Sequence, residues 1–549
     1  MSEPAQILPA ATHAVENQPP PLEPSDFWMA DRILRDAVVR EGGGEWQTRL
    51  ASYGRLAGDE LYRLGFDANR DTPRLLTHDR FGRRIDRVEF HPAYHQLMTA
   101  ATEHGVSALS WREPRPGAHV ARAALIFLHH QAEAGTNCPL TMTHAAIPVL
   151  RRCPALAEWA DKAIAGQYDP SDRPIDRKSG ITLGMGMTEK QGGSDVRSNS
   201  TRAEPLAAAG EYRLIGHKWF MSAPMSDGFL VLAQAPAGLT CFLLPRWRPD
   251  GQRNAFRLMR LKDKLGNAAN ASSEVEFDGA WAYRIGDEGR GVATIIEMVA
   301  LTRLDCLLGS AAEMRLALAH ALHHARHRVA FGRRLIEHPI MANVLADLSL
   351  ESEAATVLAL RVARAVDAAD RDADQAALAR IVTAIGKYWV CKRVPAFVNE
   401  AQECLGGNGY VEESILPRLY REAPLNSLWE GCGNIQCLDV LRALGREPAT
   451  GRALFAELAL AQGRNPDYDR ELAALQELLG SGLDLEPCAR HLVERLALAL
   501  QAGLLLRHAP EPVARAFVCS RLAGHRGLVF GTLPEATDFG ALLARPSPE

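Results

Sequence analysis

The chain has no Cys-x-x-Cys pair, no long apolar run, no Lys or Arg before Arg32, and no excess of positive charge. Each absence removes a class of protein. Ten cysteines at 138, 153, 241, 306, 391, 404, 432, 437, 488 and 519 stand singly, which offers neither zinc-ligand spacing nor a disulfide framework and fits buried thiols in a reducing compartment. A membrane helix needs roughly 20 consecutive apolar residues, and none is approached. The opening stretch, rich in Pro, Glu and Ala, has neither the charged n-region of a secretory signal nor the character of a transit peptide, so a soluble cytoplasmic protein is expected, with no membrane partner. With 62 Lys and Arg against 66 Asp and Glu, the formal charge is −4, which argues against a global basic field for nucleic acid or anionic lipid.

At 549 residues the chain is too long for one compact core, and its texture changes along its length. Residues 1–25, with Pro19, Pro20, Pro21 and Pro24, read as a poorly ordered or surface-draped arm. Residues 26–179 carry apolar residues at helical spacing, as in the stretch from Ala118 to Glu133, and predict an N-terminal helical domain. Residues 180–287 turn to short β-rich runs such as Tyr212 to Ile215, Phe229 to Ala233 and Ser273 to Phe277, which predict a middle β-sheet domain. Residues 288–445 return to long Ala/Leu-rich helices, notably Leu345 to Ala369 and Gln375 to Val398, best buried in a four-helix packing. Residues 446–549 hold further amphipathic helices, including Cys488 to Arg507, and form an extra C-terminal helical domain.

One loop stands out inside the β-rich part: Gly184-Met185-Gly186-Met187-Thr188-Glu189-Lys190-Gln191-Gly192-Gly193-Ser194-Asp195. Glycines beside hydroxyls supply unencumbered N–H donors, which can hold a diphosphate or the polar edge of a flavin; alone, such a cluster is more often a plain turn. Behind it, in order, come Gly216 to Ser222, Arg328-Val329-Ala330-Phe331-Gly332, Leu405 to Tyr410, Tyr420 to Ala423 and Trp429-Glu430-Gly431.

This ordered set resembles the acyl-CoA dehydrogenase family over roughly residues 30 to 445. The wording of the glycine loop, with the long C-terminal segment, is similar to the AidB branch, which is linked to the bacterial response to DNA alkylation. The resemblance implies an α+β multidomain fold, bound FAD, an acyl-CoA substrate, a homotetramer, and weak or specialised α,β-dehydrogenation of a short or branched, isovaleryl-CoA-like acyl group; the alternative is a DNA-binding protective flavoprotein with little or no acyl-CoA turnover. It carries Glu430 onto the base that takes the α-proton, flanked by Trp429, which can exclude water, and by Gly431. It carries Met185, Gly186, Met187, Thr188, Gly192, Gly193 and Ser194 onto the isoalloxazine and diphosphate contacts, with Phe220, Met221 and Ser222 beside the ring. Arg328 and Phe331 would reach a neighbouring subunit's FAD, Gly406 and Gly407 would admit its adenosine part, and Asn434 would add a hydrogen bond. Isovaleryl-type relatives place the base early in the first helix after the β domain; that position here is Thr302, beside Arg303, and threonine cannot serve. Lys190, Cys432, Glu403 and Pro339 depart from the usual residues around the flavin and acyl sites, which leaves cofactor binding expected but puts efficient turnover of an ordinary fatty acyl-CoA in doubt.

Two further clusters remain. Arg507, Arg515, Arg521 and Arg526, with His508 and His525, gather against only Glu511; the branch implies contact with double-stranded DNA, and the plain alternative is a solvated helix face. Residues His320, His323, His324 and His327 share one helix face, but no carboxylate stands at ligand spacing, so no metal is expected.

Overall fold

Apolar residues at helical spacing form Arg32–Val38, Gln47–Leu56, Tyr62–Arg70, Pro92–His104, Ala118–Ala132 and Asn137–Arg151 in a computed structural model that describes residues 12–546. Capping sets their ends: the Asp31 carboxylate accepts from Leu34 N, and Gly105, at φ 93°, closes the Pro92–His104 helix. The expected all-helical start is broken by an antiparallel hairpin, β1 (Arg74–His78) and β2 (Arg84–Glu89). Asp79 nucleates its turn by accepting from Phe81 N and Arg83 N. Both strands are mostly polar, and only Asp86 and Val88 in them are buried, so no apolar alternation marked them in the sequence.

The middle part holds β3 (Leu183–Gly186), β4 (Arg202–Pro205), β5 (Glu211–Ser222), β6 (Gly228–Ala235), β7 (Gly238–Pro245), β8 (Phe256–Leu261) and β9 (Ser272–Ile285). β4 pairs β5, β5 pairs β9, β9 pairs β7, β7 pairs β6, and β6 returns to β4 through Gln234 and Arg202, so five strands close a ring. β6 is apolar on both faces. Phe229, Val231 and Ala233 enter the core of the ring, while Leu230 and Leu232 pack with Ala145, Leu150 and Met298 of adjoining helices. This double burial explains its continuous apolar run and fastens the sheet to the helices on both sides.

Four helices follow as a bundle: Gly291–His327, Pro339–Ala368, Ala373–Leu405 and Gly433–Arg446. Pro339 opens the second at a position where its missing N–H is harmless. The C-terminal helices Pro448–Ala459, Pro466–Gly480, Ala489–His508 and Glu511–Phe517 share one apolar core with the bundle and the N-terminal helices. They are a further layer on the bundle.

That layer overturns the expected basic face. Arg521 is 0% exposed at its side chain and is ion-paired to Asp347 and Glu351 of the second bundle helix. Arg507 donates to Glu457 at 2.7 Å, and Arg526 is half-buried. Arg515 alone is exposed, 3.5 Å from Glu511 one turn earlier. Two of the four, Arg507 and Arg521, turn inward to staple helices together, which reduces the expected four-arginine face to Arg515 and Arg526.

The described part of the N-terminal arm drapes over the end of the first bundle helix. Asn17 exchanges two 2.8 Å hydrogen bonds with the backbone of Val329, and the His323 ring meets Pro20 O at 2.7 Å. His320 faces Tyr62 and Glu23, so the histidine face is engaged by separate partners. Residues 1–11 of the expected arm lie outside the described residues. Among the described residues no helix is long and apolar enough to cross a membrane.

Candidate active site

Trp429, Glu430 and Gly431 form a turn between the short helix Leu425–Ser427 and the fourth bundle helix. Glu430 has φ 58° and Gly431 φ 92°. For a residue with a β-carbon, that backbone costs about 1–2 kcal/mol, so other groups must hold it. Lys387, 1% exposed, donates to the carbonyls of Asn426, Trp429 and Gly431 at 2.9 Å each. The Gln436 amide donates to Glu430 O at 3.0 Å and Gly431 O at 2.9 Å. Arg303 Nε donates to Glu430 O at 2.9 Å, and its own charge is met by Asp439 at 2.8 Å.

The turn aims the half-buried Glu430 carboxylate at the first bundle helix, where Thr302 Oγ1 donates to Oε2 at 2.6 Å. The two alternative base positions of the family therefore touch: one holds the carboxylate, the other a hydroxyl bonded to it. Burial pushes the Glu430 carboxyl above its ordinary range; the Thr302 hydrogen bond and the charges of Lys387 and Arg303 oppose this without cancelling it. Burial pushes the Cys138 thiol up to about 12; Glu430 adds to this, while Lys264 and the side chains of Ser222 and Asn270 oppose it.

On the sheet side, β3 and β5 meet closely: a β-carbon on Gly186 would lie 2.8 Å from the Met221 methyl, and one on Gly193 would lie 2.5 Å from Thr188 Oγ1. Trp219 N donates to Thr188 O at 2.8 Å. Under the loop sits Glu189, 0% exposed, which accepts from Lys218 Nζ at 2.8 Å, Ser200 N at 2.6 Å and Ser200 Oγ at 2.9 Å. Its burial alone would raise the carboxyl, but Lys218 and these donors hold it down to about 2. The buried ion pair leaves Met185, Met187, Thr188, Gly192 and Gly193 half-exposed above it and Ser194 exposed. Beside them Phe220 is 49% exposed, Met221 is buried, and Ser222 Oγ lies 2.9 Å from Ser272 Oγ. Bare backbone, hydroxyls and an open aromatic face on one rigid floor fit a planar, diphosphate-bearing group such as a flavin dinucleotide.

The remaining expected residues lie elsewhere on the chain. Arg328 Nη1 donates to Asn17 O at 2.5 Å, and Phe331 is 97% exposed. Gly406, at φ 60°, and Gly407 sit in a short turn where an added β-carbon would meet nothing within 4 Å. Asn434 is exposed in the first turn of the fourth bundle helix. Among the described residues no hydrogen bond joins Arg328, Phe331, Gly406 or Gly407 to the glycine loop. Sequence reasoning missed Lys387, Gln436, Lys218 and Cys138. A lone lysine in the apolar run Ile385-Gly386-Lys387-Tyr388-Trp389-Val390 was a readable signal of a buried cation with backbone partners. A cavity of about 690 Å³ between the β1–β2 hairpin and the sheet has Pro139 and Ala223 in its wall, the residues next to Cys138 and Ser222.

Known families match the chain from residue 17 to residue 445: the N-terminal domain of the adaptive response protein AidB at residues 17–170, the acyl-CoA dehydrogenase middle domain at 184–280 and its C-terminal domain at 289–445. A putative acyl-CoA dehydrogenase AidB of Escherichia coli (strain K12) is 48% identical over 94% of this chain and 95% of its own. Acyl-CoA dehydrogenase family member 11 of Caenorhabditis elegans is 30% identical over 88% of this chain and 83% of its own. The crystal structure of Caenorhabditis elegans ACDH-11 in complex with C11-CoA superposes with a TM-score of 0.85 at 28% identity, covering 94% of each chain. The apo form of Bd2924 superposes with a TM-score of 0.83 at 28% identity, covering 91% of this chain and 100% of that one. With a half-buried, positioned glutamate and a floor fit for a flavin, the chain belongs to the acyl-CoA dehydrogenase family, in its AidB branch, and is an FAD-binding oxidoreductase.

Proposed function

We propose that the chain oxidises a short acyl-CoA across its Cα–Cβ bond, with Glu430 taking the α-proton. The observation that carries this is the Glu430 carboxylate itself: half-buried, raised in pKa by burial, and fixed by Thr302 on a turn that Lys387 and Arg303 hold rigid. Bound FAD supplies the acceptor for the hydride leaving Cβ. The α-proton of a thioester is a poor acid, so the base must be dehydrated and close. Trp429, its indole tied to Asn426 at 2.9 Å, excludes water on one side of Glu430. Thr188, the backbone of Met185 to Gly193, Ser194 and Ser222 would hold the flavin. Arg328, half-buried, and Phe331, Gly406 and Gly407, exposed, would complete the site of a neighbouring copy, which makes a homotetramer the proposed assembly. For the DNA-alkylation response linked to the branch, Arg507 and Arg521 are taken up by internal pairs, which leaves the exposed Arg515 and the half-buried Arg526 of the four C-terminal arginines.

The test is an anaerobic absorbance titration of the FAD-loaded protein with acyl-CoAs from butyryl and isovaleryl upward. Bleaching of the flavin band by a short chain is expected; a flavin that stays oxidised with every acyl-CoA sinks the proposal. Because the base must be ionised to act, its rate rises with pH through the raised Glu430 pKa. Removing the Thr302 donor takes away a hydrogen bond that favours the ionised form, so Thr302→Val will shift the acidic limb of the single-turnover bleaching rate to higher pH. An unmoved limb would show that the hydroxyl does not act on the base.

A further inference from the structure

Between the first two bundle helices the chain makes a hairpin with two residues in each strand, Val329–Ala330 against Arg333–Arg334. Its tip is the exposed Phe331, held at φ 51° and followed by Gly332 at φ 79°. Among the described residues Arg328, Arg333 and Arg334 make no ion pair. An open aromatic ring beside three guanidinium groups that no carboxylate neutralises suits a diphosphate joined to a flat ring.

So short a hairpin has little stability of its own, and the N-terminal arm supplies what it lacks. Val329 N donates to Asn17 Oδ1 and Asn17 Nδ2 donates to Val329 O, each at 2.8 Å. The side-chain amide thus pairs with the hairpin as an added strand residue would. Arg328 Nη1 makes a third bond, to Asn17 O at 2.5 Å. One residue therefore fixes both the root of the hairpin and the guanidinium beside it. Asn17 does so at φ 56°, a conformation that asparagine accepts better than most residues with a β-carbon. The arm is itself fixed to the body: Pro20 O lies 2.7 Å from the His323 ring, Glu23 lies 3.4 Å from His320, and Ser25 N donates to Gly58 O at 3.0 Å. A β-carbon on Gly58 would stand 1.8 Å from Ser25 O, so arm and helix touch backbone to backbone.

The contact orients Arg328 without using it up. A guanidinium has five N–H donors; the Asn17 carbonyl takes one of them and, being neutral, leaves the positive charge in place. We infer that Asn17 is a positioning residue for the cofactor: it holds Arg328 and the Phe331 hairpin in the arrangement that receives FAD, so the arm of one subunit sets how tightly a neighbouring subunit keeps its flavin. This rests on the reading above in which Arg328 and Phe331 complete the site of a neighbouring copy. The gain comes from pre-organisation, since a hairpin already held in place loses less freedom when the cofactor binds.

The test uses the full-length, FAD-loaded protein and two variants, Asn17→Gly and Arg328→Ala. Glycine keeps the positive φ and the backbone carbonyl and removes only the amide. In Asn17→Gly the dissociation constant for FAD, read from the return of flavin fluorescence on dilution, is expected to rise about 10-fold, the effect of two lost hydrogen bonds. Hydrogen exchange at residues 329–332 should quicken, and the oligomeric mass should not change. Arg328→Ala should weaken FAD by at least ~10-fold, the loss of a charge-assisted contact. If Arg328→Ala loses FAD but Asn17→Gly keeps it as tightly as the parent, or more tightly, Asn17 is not a positioning residue and the cross-subunit reading stands. Faster exchange with unchanged affinity likewise overturns the inference, because the amide then does no more than brace the hairpin. A loss of FAD that comes with dissociation into smaller species overturns it too, since the arm would be acting on assembly. Parental affinity in Arg328→Ala overturns both the inference and the cross-subunit reading on which it rests.

Discussion

Replacing Glu430 with Gln will leave a folded, yellow protein whose flavin bleaches with acyl-CoA roughly 10²- to 10⁴-fold more slowly, the range a positioned general base contributes. The amide keeps the size of the carboxylate and can still accept from Thr302, and the backbone bonds from Lys387, Gln436 and Arg303 do not involve the side chain. Substrate binding should change little while the rate of flavin reduction collapses. Stopped-flow absorbance in the absence of oxygen separates the two. A variant that bleaches at the parental rate would remove Glu430 from the chemistry and reopen the search for the base.

The second large effect is expected at Lys218. Changing it to Met strips Glu189 of its counter-ion in a fully buried place beneath the glycine loop, where breaking one partner of a buried pair costs about 3–5 kcal/mol. The loop's floor goes with it, so FAD occupancy should fall together with stability, read as flavin per protein and as the midpoint of denaturant unfolding. Replacing both partners, Lys218→Met with Glu189→Leu, should restore much of the stability, since an apolar pair of similar volume leaves no stranded charge. Full FAD occupancy and a loss under about 1 kcal/mol in the single variant would show that the pair is incidental. The same pair sets an acid limit. Glu189 is held at about 2 in the fold against an ordinary 4.5, so the stability it contributes is complete above the ordinary value and is lost as pH falls from there toward about 2.

The parts of the molecule that were legible in sequence are those specified by neighbours along the chain. The glycine loop, the Trp429-Glu430-Gly431 turn and the long Ala/Leu-rich helices each announce themselves within a short window, and each is where it was expected. What escaped is specified across long separations. The Arg521 cluster reads as a basic patch because its partners, Asp347 and Glu351, lie more than 150 residues earlier, and only packing shows that the guanidinium points inward. Thr302 could be excluded as a base from its side chain, but its bond to Glu430 spans 128 positions. The β1–β2 hairpin was hidden for a different reason: its strands bury little, so the period-2 apolar signal that betrays most strands was never written. Lys387 lay in plain view, yet its meaning depends on three carbonyls from a turn about 40 residues later.

Glu430 occupies a backbone conformation, at φ 58°, that its own β-carbon disfavours. Glycine would relax that strain, so a laboratory evolution campaign scored on heat resistance alone would tend to install glycine at this position and enrich durable yellow proteins that no longer turn over. Durability and catalysis have different best sequences here. Any stabilising library built on this scaffold needs a flavin-reduction screen beside the thermal one, or it will breed out the reaction first.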